Sequence, residues 1–306
     1  MSDLSPPQNM MVSVVVPVYC GADYLAALVA ALDELRREWQ AQGAPFTLAE
    51  AIFVDDAAID DSGARIDQLA REHSWIVPLH LARNFGQHPA TIVGILHSSG
   101  DWVVTMDEDL QHRPEVIATL LRKAVTEHAD IVYANPVSTV HDAAIRDWTS
   151  RSFKRMMQWL TDNPNLSSFN SFRLIRGPVA RAAASVCSHD TYLDITLGWF
   201  TQSIRAIRIE MKDERYIKTK RSGYSLKSLL SHGWRMIFSS QIKLLRIGSV
   251  LGLAAMVLSV LAAIYFLMVK IFSPADIAVE GWTSLFLAIT FFGGLSAFML
   301  GIVLQY

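Results

Sequence analysis

The sequence predicts an α/β fold, a mostly parallel sheet flanked by helices, joined to a C-terminal hairpin of two membrane-spanning helices. Three observations carry that reading. Short β-branched runs alternate with helically spaced apolar residues from Val12 to Ala134, two of those runs end on paired carboxylates, and from Ile247 onward only Lys270, Asp276 and Glu280 are charged. At 306 residues, with 51% hydrophobic and 18% charged side chains, the chain is longer than one typical domain and more apolar than a soluble one, so part of it is expected to meet lipid.

Val12 to Val18 is a β-branched run that leads past Tyr19 and Gly21 into apolar residues at helical spacing from Tyr24 to Leu35. Ala51 to Val54 stops at Asp55 and Asp56, and a helical pattern resumes from Ala64 to Glu72. Ile76 to Leu81 reads as a third strand, Ala90 to Ser98 as a helix and Trp102 to Met106 as a fourth strand. Pro114 to Glu127 reads as a helix with proline near its start, and Ile131 to Ala134 as a further strand. Parallel neighbours need a crossover connection, so the alternation argues for a mostly parallel sheet covered on both faces. Ligands of such sheets bind beyond the carboxyl ends of the strands, where both acidic pairs fall.

In the tail, Ile247 to Val269 carries no charge and would span roughly 35 Å as a helix, enough for the hydrocarbon core of a bilayer. Thr283 to Leu304 is a second uncharged stretch of sufficient length, after a connection that holds Pro274, Asp276 and Glu280. Lys227, Arg235, Lys243 and Arg246 precede the first span, so the positive-inside tendency places the large domain in the cytoplasm and the chain as a multi-pass protein of the inner or cytoplasmic membrane. Trp282 fits an interfacial anchor. Leu226 to Leu245 mixes Leu, Ile, Phe and Trp with Lys, His and Arg, as an amphipathic surface helix does; a linker helix packed on the domain is the alternative. The expected organisation is a domain over 1–225, juxtamembrane helices over 226–246 and two spans within 247–306.

A net charge of −2 gives no overall attraction to nucleic acid. Cys20 and Cys187 are the only cysteines, too few for a disulfide framework or a zinc site, which fits a reducing compartment. Met1 to Met10 has no apolar run with a basic flank and is not expected to be a signal peptide.

Val103 to Asp109 is a strand that runs straight into Asp107-Glu108-Asp109. Two carboxylates at this spacing can hold a hard divalent cation through oxygen, and the cation can neutralise a diphosphate. A solvated acidic turn or helix start accounts for the same letters equally well. Asp55 and Asp56 at a second strand end shift the balance, because a nucleotide needs acceptors for base and ribose as well as a site for its phosphates. Capping of the following turn is the alternative for either residue.

Taken in order, Val16-Pro17-Val18-Tyr19, Val54-Asp55-Asp56-Ala57-Ala58-Ile59-Asp60, Arg83-Asn84-Phe85-Gly86-Gln87 and Met106-Asp107-Glu108-Asp109-Leu110-Gln111 with Pro114-Glu115 resemble the successive signatures of inverting family 2 glycosyltransferases of the GT-A fold, whose sheet is Rossmann-like. With Ser171-Phe172-Arg173-Leu174 and Ser222-Gly223-Tyr224-Ser225-Leu226-Lys227, the chain is similar to the polyprenyl-phosphate glycosyltransferases, the dolichol-phosphate mannose synthase-like group, and to those with two C-terminal membrane helices. The resemblance implies that Pro17, Tyr19, Asp55, Asp56, Arg83, Asn84 and Asp107 bind the nucleotide sugar. It implies that Asp107 and Asp109 hold Mg²⁺ or Mn²⁺, with Gln111 arranging the diphosphate, and that Arg173 and either Arg215 or Arg221 meet phosphates. Asp107, Asp109, Gln111 and Arg173 would then be the catalytic set.

Two departures stand out. Ala57-Ala58 replaces the usual Gly-Ser, and no arginine follows Asn135-Pro136-Val137, which leaves Arg146, Arg151 or Arg155 for the acceptor phosphate, Arg151 being included in that clamp. The implied reaction is in-line attack by a polyprenyl-phosphate oxygen on the anomeric carbon of the donor, with inversion. A phosphate monoester is largely dianionic above its second pKa of about 6 and needs no strong general base. A long isoprenoid tail stays in the bilayer, so a membrane-held enzyme goes to its acceptor. His88, His97 and His128 read as surface or packing residues, His112 as a third metal contact or an ordinary loop residue, Trp148, Phe153 and Trp159 as core ahead of an acceptor-facing helix, and Gly293-Gly294 as a close helix contact.

The rivals are weaker. A processive polysaccharide synthase would carry a Gln-x-x-Arg-Trp segment, and an aspartyl-phosphate phosphatase would open on its Asp-x-Asp. A dinucleotide site would show Gly-x-Gly-x-x-Gly after the first strand, and a tethered binding protein without turnover would not need Asp107, Asp109, Gln111 and Arg173 together. A homo-oligomer is left open.

Overall fold

Strand order explains why the two acidic pairs share one edge of the sheet. The computed structural model describes residues 9–136, 168–188, 191–209, 243–272 and 282–303. β1 (Met10–Val18) leads into α1 (Ala22–Ala41), β2 (Phe46–Asp55) into α2 (Ser62–Glu72), β3 (Ile76–His80) into α3 (Gln87–His97) and β4 (Trp102–Thr105) into α4 (Val116–Thr126). Then follow β5 (Ile131–Pro136), β6 (Arg173–Arg176), α5 (Gly177–Val186), α6 (Leu193–Phe200), β7 (Ile204–Ile209), α7 (Lys243–Phe272) and α8 (Trp282–Val303). The seven strands lie in the order β3-β2-β1-β4-β6-β5-β7. β6 alone runs against its neighbours, β4 and β5; the other ladders are parallel.

β1 is apolar at nearly every position because both faces are covered. Val12, Val14, Val16 and Val18 pack under α1, α2 and α4 through Leu25, Leu28, Ile66, Leu120 and their neighbours. Val15 points the other way, with Ala90 and Ile95 of α3, Ala180 of α5 and Leu197 of α6. The three-layer α/β architecture expected from periodicity is therefore present.

Two features depart from it. β2 starts at Phe46, five residues before the expected Ala51, because Glu50 sits inside a strand without breaking it. Its Oε1 accepts from the Ser13 hydroxyl at 2.6 Å and from the Ser99 N–H at 2.7 Å, so the charge is satisfied at the far end of the sheet. β6, α5, α6 and β7 lie beyond the last strand that periodicity marks, and β6, four residues with arginine at each end, is too short a pattern to register.

The C-terminal helices form their own unit. Within α7, Gly248–Val269 is long and apolar enough to cross a membrane, and Ser284–Leu300 of α8 is a shorter apolar stretch. Leu251, Phe272, Phe292 and Val303 are all more than 60% exposed, a surface suited to lipid and not to water. The two helices meet at glycine: a Cβ on Gly252 would lie 2.7 Å from the Gly294 carbonyl oxygen, and one on Gly294 would lie 2.7 Å from that of Gly252. Gly293, paired with Gly294 in the sequence reading, has no such neighbour. The Ser259 hydroxyl donates to the Leu287 carbonyl at 2.7 Å across the same contact.

Candidate active site

Val18 pairs with Asp55 and Asp55 with His80, so β1, β2 and β3 end level, while β4 ends a little earlier, with Thr105 opposite Val15; the loops after all four leave the same edge of the sheet. Pro17 is buried within β1, and Tyr19, just past it, is 40% exposed.

Asp56 is 2% exposed. One carboxylate oxygen accepts the Phe85 N–H at 2.7 Å and the other the Gly86 N–H at 2.8 Å. It therefore pins the loop that carries Arg83 and Asn84, both exposed, with the Arg83 guanidinium 4.7 Å from the centre of the Phe85 ring. Asp56, expected at the nucleotide, thus gives one lone pair of each oxygen to the backbone of the loop that carries Arg83 and Asn84. Asp55 accepts the Ala58 N–H at 2.7 Å through Oδ1 and faces His80 Nδ1 at 2.9 Å through Oδ2. Ala57 has φ 51°, in the left-handed region that glycine enters without steric cost.

Asp60, given no role in the sequence reading, ties the first two loops together. Its oxygens accept the Ala22 N–H, the Ser62 N–H and the Ser62 hydroxyl, and that hydroxyl in turn accepts the Gly21 N–H. Burial opposes ionisation, but the Ser62 hydroxyl and the Ala22 and Ser62 N–H groups outweigh it and hold the carboxyl below the ordinary range.

The second pair has different partners. Asp107 accepts from the Gln87 side-chain amide through Oδ1 and from the Ser171 hydroxyl at 3.0 Å through Oδ2. Its own N–H donates to Nδ1 of His112 at 3.0 Å. His112 is 3% exposed and stacks on Phe172 with ring centres 4.7 Å apart. Burial lowers its pKa against the opposing pull of Asp107 and Asp109, and an accepting Nδ1 leaves the proton on Nε2. The imidazole thus braces the backbone of the acidic turn. Asp109 is 8% exposed and accepts the Gln111 N–H at 3.2 Å, with Leu110 between them at φ 60°. A bulky residue in that region marks a turn held by its surroundings.

Arg173, expected at a phosphate, is 2% exposed, and its guanidinium meets Asp194 of α6, whose Oδ1 also accepts the Tyr133 hydroxyl at 2.7 Å. This buried ion pair braces β5, β6 and α6. Its Nε has no acceptor among the described residues. Arg151, Arg215 and Arg221, like Arg146, Arg155 and the segment 226–242, lie outside the described residues.

Sequence reasoning passed over Gln87, Ser171 and Asp60 as site residues, although all three stand inside or beside quoted motifs. The signal was position within the motif; charge alone drew attention to the acids. The described residues hold no group of three or more His, Cys, Asp or Glu that could bind a metal by themselves. Two carboxylates, Asp107 and Asp109, are nevertheless a fitting donor set for a hard cation that takes its other ligands from a diphosphate and water.

A family model described as glycosyl transferase family 2 matches residues 13–180. An undecaprenyl-phosphate 4-deoxy-4-formamido-L-arabinose transferase of Pseudomonas fluorescens (strain SBW25) is 28% identical over 300 residues, covering 96% of this chain and 84% of that protein. One of the same description from Klebsiella pneumoniae (strain 342) is 29% identical over 305 residues, covering 99% and 90%. Among solved structures, glucosyl-3-phosphoglycerate synthase of Mycobacterium tuberculosis in complex with Mn²⁺ and UDP-glucose aligns with a TM-score of 0.52 at 13% identity, over 75% of this chain and 77% of that one. That last likeness is one of fold.

Proposed function

The chain belongs to glycosyl transferase family 2, and on that premise we propose that it transfers a sugar, with inversion, from a nucleotide-sugar donor to a polyprenyl phosphate at the cytoplasmic face of a membrane. The observation that carries the donor half is the Asp107-Glu108-Asp109 turn, set at a strand end beside the loop that Asp56 pins. The acceptor half is supported by similarity to undecaprenyl-phosphate transferases that runs over 96% and 99% of this chain, apolar helices included.

In this reading Asp107 and Asp109 hold Mg²⁺ or Mn²⁺, which when bound supplies positive charge to the leaving diphosphate. Gln87 and Ser171 keep the Asp107 carboxylate aimed, and His112 fixes the turn from beneath. Asp55, Arg83, Asn84 and Tyr19 meet the nucleotide. A phosphate oxygen of the acceptor attacks the anomeric carbon, that C–O bond forms as the bond to the nucleoside diphosphate breaks, and no proton is removed from the attacking group. Both α7 and α8 cross the bilayer, so that the acceptor is met where its tail resides.

Purified protein in detergent, given a polyprenyl phosphate, a panel of nucleotide sugars and Mg²⁺ or Mn²⁺, is expected to release nucleoside diphosphate only when the lipid is present. Sugar polymer made without lipid would overturn the acceptor assignment.

A further inference from the structure

His80, at the end of β3, stands between two carboxylates from different elements. Nδ1 lies 2.9 Å from Oδ2 of Asp55 on β2, and Nε2 lies 3.0 Å from Oδ1 of Asp67 on α2. Asp55 is nearly enclosed, its side chain 12% exposed, while the His80 and Asp67 side chains are 43% and 49% exposed. The ring thus links a carboxylate of the candidate donor site to one on the surface. Room for the link comes from Gly63 on α2, where a Cβ would lie 2.6 Å from Asp55 Oδ2 and 3.8 Å from His80 Nδ1.

The chemistry of the ring follows from this placement. A neutral imidazole has one N–H and one lone pair, so between two carboxylates it would turn that lone pair on an anionic oxygen; an imidazolium donates at both ends. The charged groups acting on His80 are Asp67 from α2 and Asp55 from β2, and both favour the cation. The hydrogen bond from Asp55 is the largest cause raising the ring's pKa, opposed by partial burial and reinforced by Asp67.

We propose that His80 is a positioning residue for donor binding: its imidazolium, bonded to Asp67 at one nitrogen and to Asp55 at the other, holds the Asp55 carboxylate toward the N–H or O–H groups of the donor's base or ribose and ties donor affinity to the proton on the ring. The inference rests on the reading of Asp55 as a nucleotide contact. With Oδ1 on the Ala58 N–H and Oδ2 on the ring, each oxygen keeps one lone-pair direction for the ligand, and the carboxylate cannot rotate without losing both bonds. Loss of the proton leaves the ring one donor for two acceptors and loosens that constraint.

The test is binding by the full-length protein in detergent, with UDP, GDP, CDP and ADP each titrated in the presence of Mn²⁺ and the tightest carried forward. Taking the ratio of wild type to His80→Ala at each pH cancels the titration of the ligand itself. The variant is expected to bind about tenfold more weakly at about pH 6.5, with the ratio falling toward one by about pH 9. Asp67→Asn should move the inflection to lower pH, and His80→Gln, which donates one hydrogen bond and cannot titrate, should recover part of the affinity and give a flat profile. If Asp55→Ala abolishes binding while the ratio stays near one or does not change with pH, the proposal for His80 is overturned. If Asp55→Ala binds as well as wild type, or no nucleoside diphosphate binds at all, the nucleotide reading fails first. Should His80→Ala not fold, His80→Gln and Asp67→Asn carry the same comparison.

Discussion

The two acidic pairs look alike in sequence and have different partners in the fold. Asp56 gives both oxygens to backbone N–H groups and is closed off from solvent. Asp107 is held by a glutamine amide and a serine hydroxyl, and its side chain is 32% exposed. Backbone donors are fixed by the path of the chain and leave Asp56 enclosed, whereas the side-chain donors of Asp107 take one lone pair of each oxygen and leave the other open. A carboxylate held the first way serves the scaffold, and one held the second way is aimed by its neighbours and still has room for a cation. Asp55 stands between, with one backbone donor and one titratable ring.

The widest separation between the pairs should appear on removing charge without changing shape. Asp107→Asn or Asp109→Asn is expected to lower kcat about a thousandfold, since charge stabilisation of a leaving group by a metal is worth several kcal/mol. The thermal unfolding temperature should hardly move. A variant that keeps normal nucleoside diphosphate release would remove both residues from the metal site.

Asp56→Ala tests the opposite pole. It leaves the Phe85 and Gly86 N–H groups without their acceptor in a half-buried loop, at a cost of about 3 kcal/mol for the two. Thermal unfolding in detergent should show the loss directly, with activity falling along with folded protein. A stable but inactive Asp56→Ala protein would mean that the residue meets the donor after all.

A smaller effect is expected from Ser171→Ala, which takes one brace from Asp107 and leaves the Gln87 amide. Loss of one such hydrogen bond corresponds to about fivefold in kcat and a higher Mn²⁺ requirement, with stability unchanged. An unchanged Mn²⁺ response would show that Gln87 suffices.

Acid titration reports on Asp60. Its folded pKa is depressed, so its contribution is complete above the unfolded value of about 3.9 and is lost as pH falls through the lower folded value. The stability gap between wild type and Asp60→Asn should therefore be largest near neutrality and close in acid; a gap independent of pH would contradict the assignment.

These differences were only partly legible beforehand. The alternation of strands and helices, the strand-end acids and the apolar tail follow from periodicity and could be read from β1 through α4. The distinction between Asp56 and Asp107 could not, because it depends on which loop folds back over which carboxylate, and Phe85 is 29 positions from Asp56. The surroundings of Arg173, which the resemblance places at a phosphate, were hidden for a related reason: its partner Asp194 is 21 residues away on another element, with no local sign of the pairing. Gly294 was legible as a helix contact because small residues in an apolar span have few other uses.

The finest distinction concerns the turn that serves Asp55. Ala57 occupies the left-handed region at φ 51°, and the N–H of the next residue, Ala58, is thereby aimed at Asp55 Oδ1. An L-residue there costs about 1–2 kcal/mol, whereas glycine pays no such steric penalty but loses about 0.5–1 kcal/mol more in chain entropy. Ala57→Gly should therefore stabilise the protein by about 0.5–1 kcal/mol, seen as a small rise in unfolding temperature, with nucleotide affinity retained because the Ala58 N–H keeps its target. Ala57→Val should lower the unfolding temperature, since a β-branched side chain fits that backbone least. If glycine destabilises instead, the turn is not held in the left-handed conformation, and the backbone anchor of Asp55 would have to be sought outside Ala58.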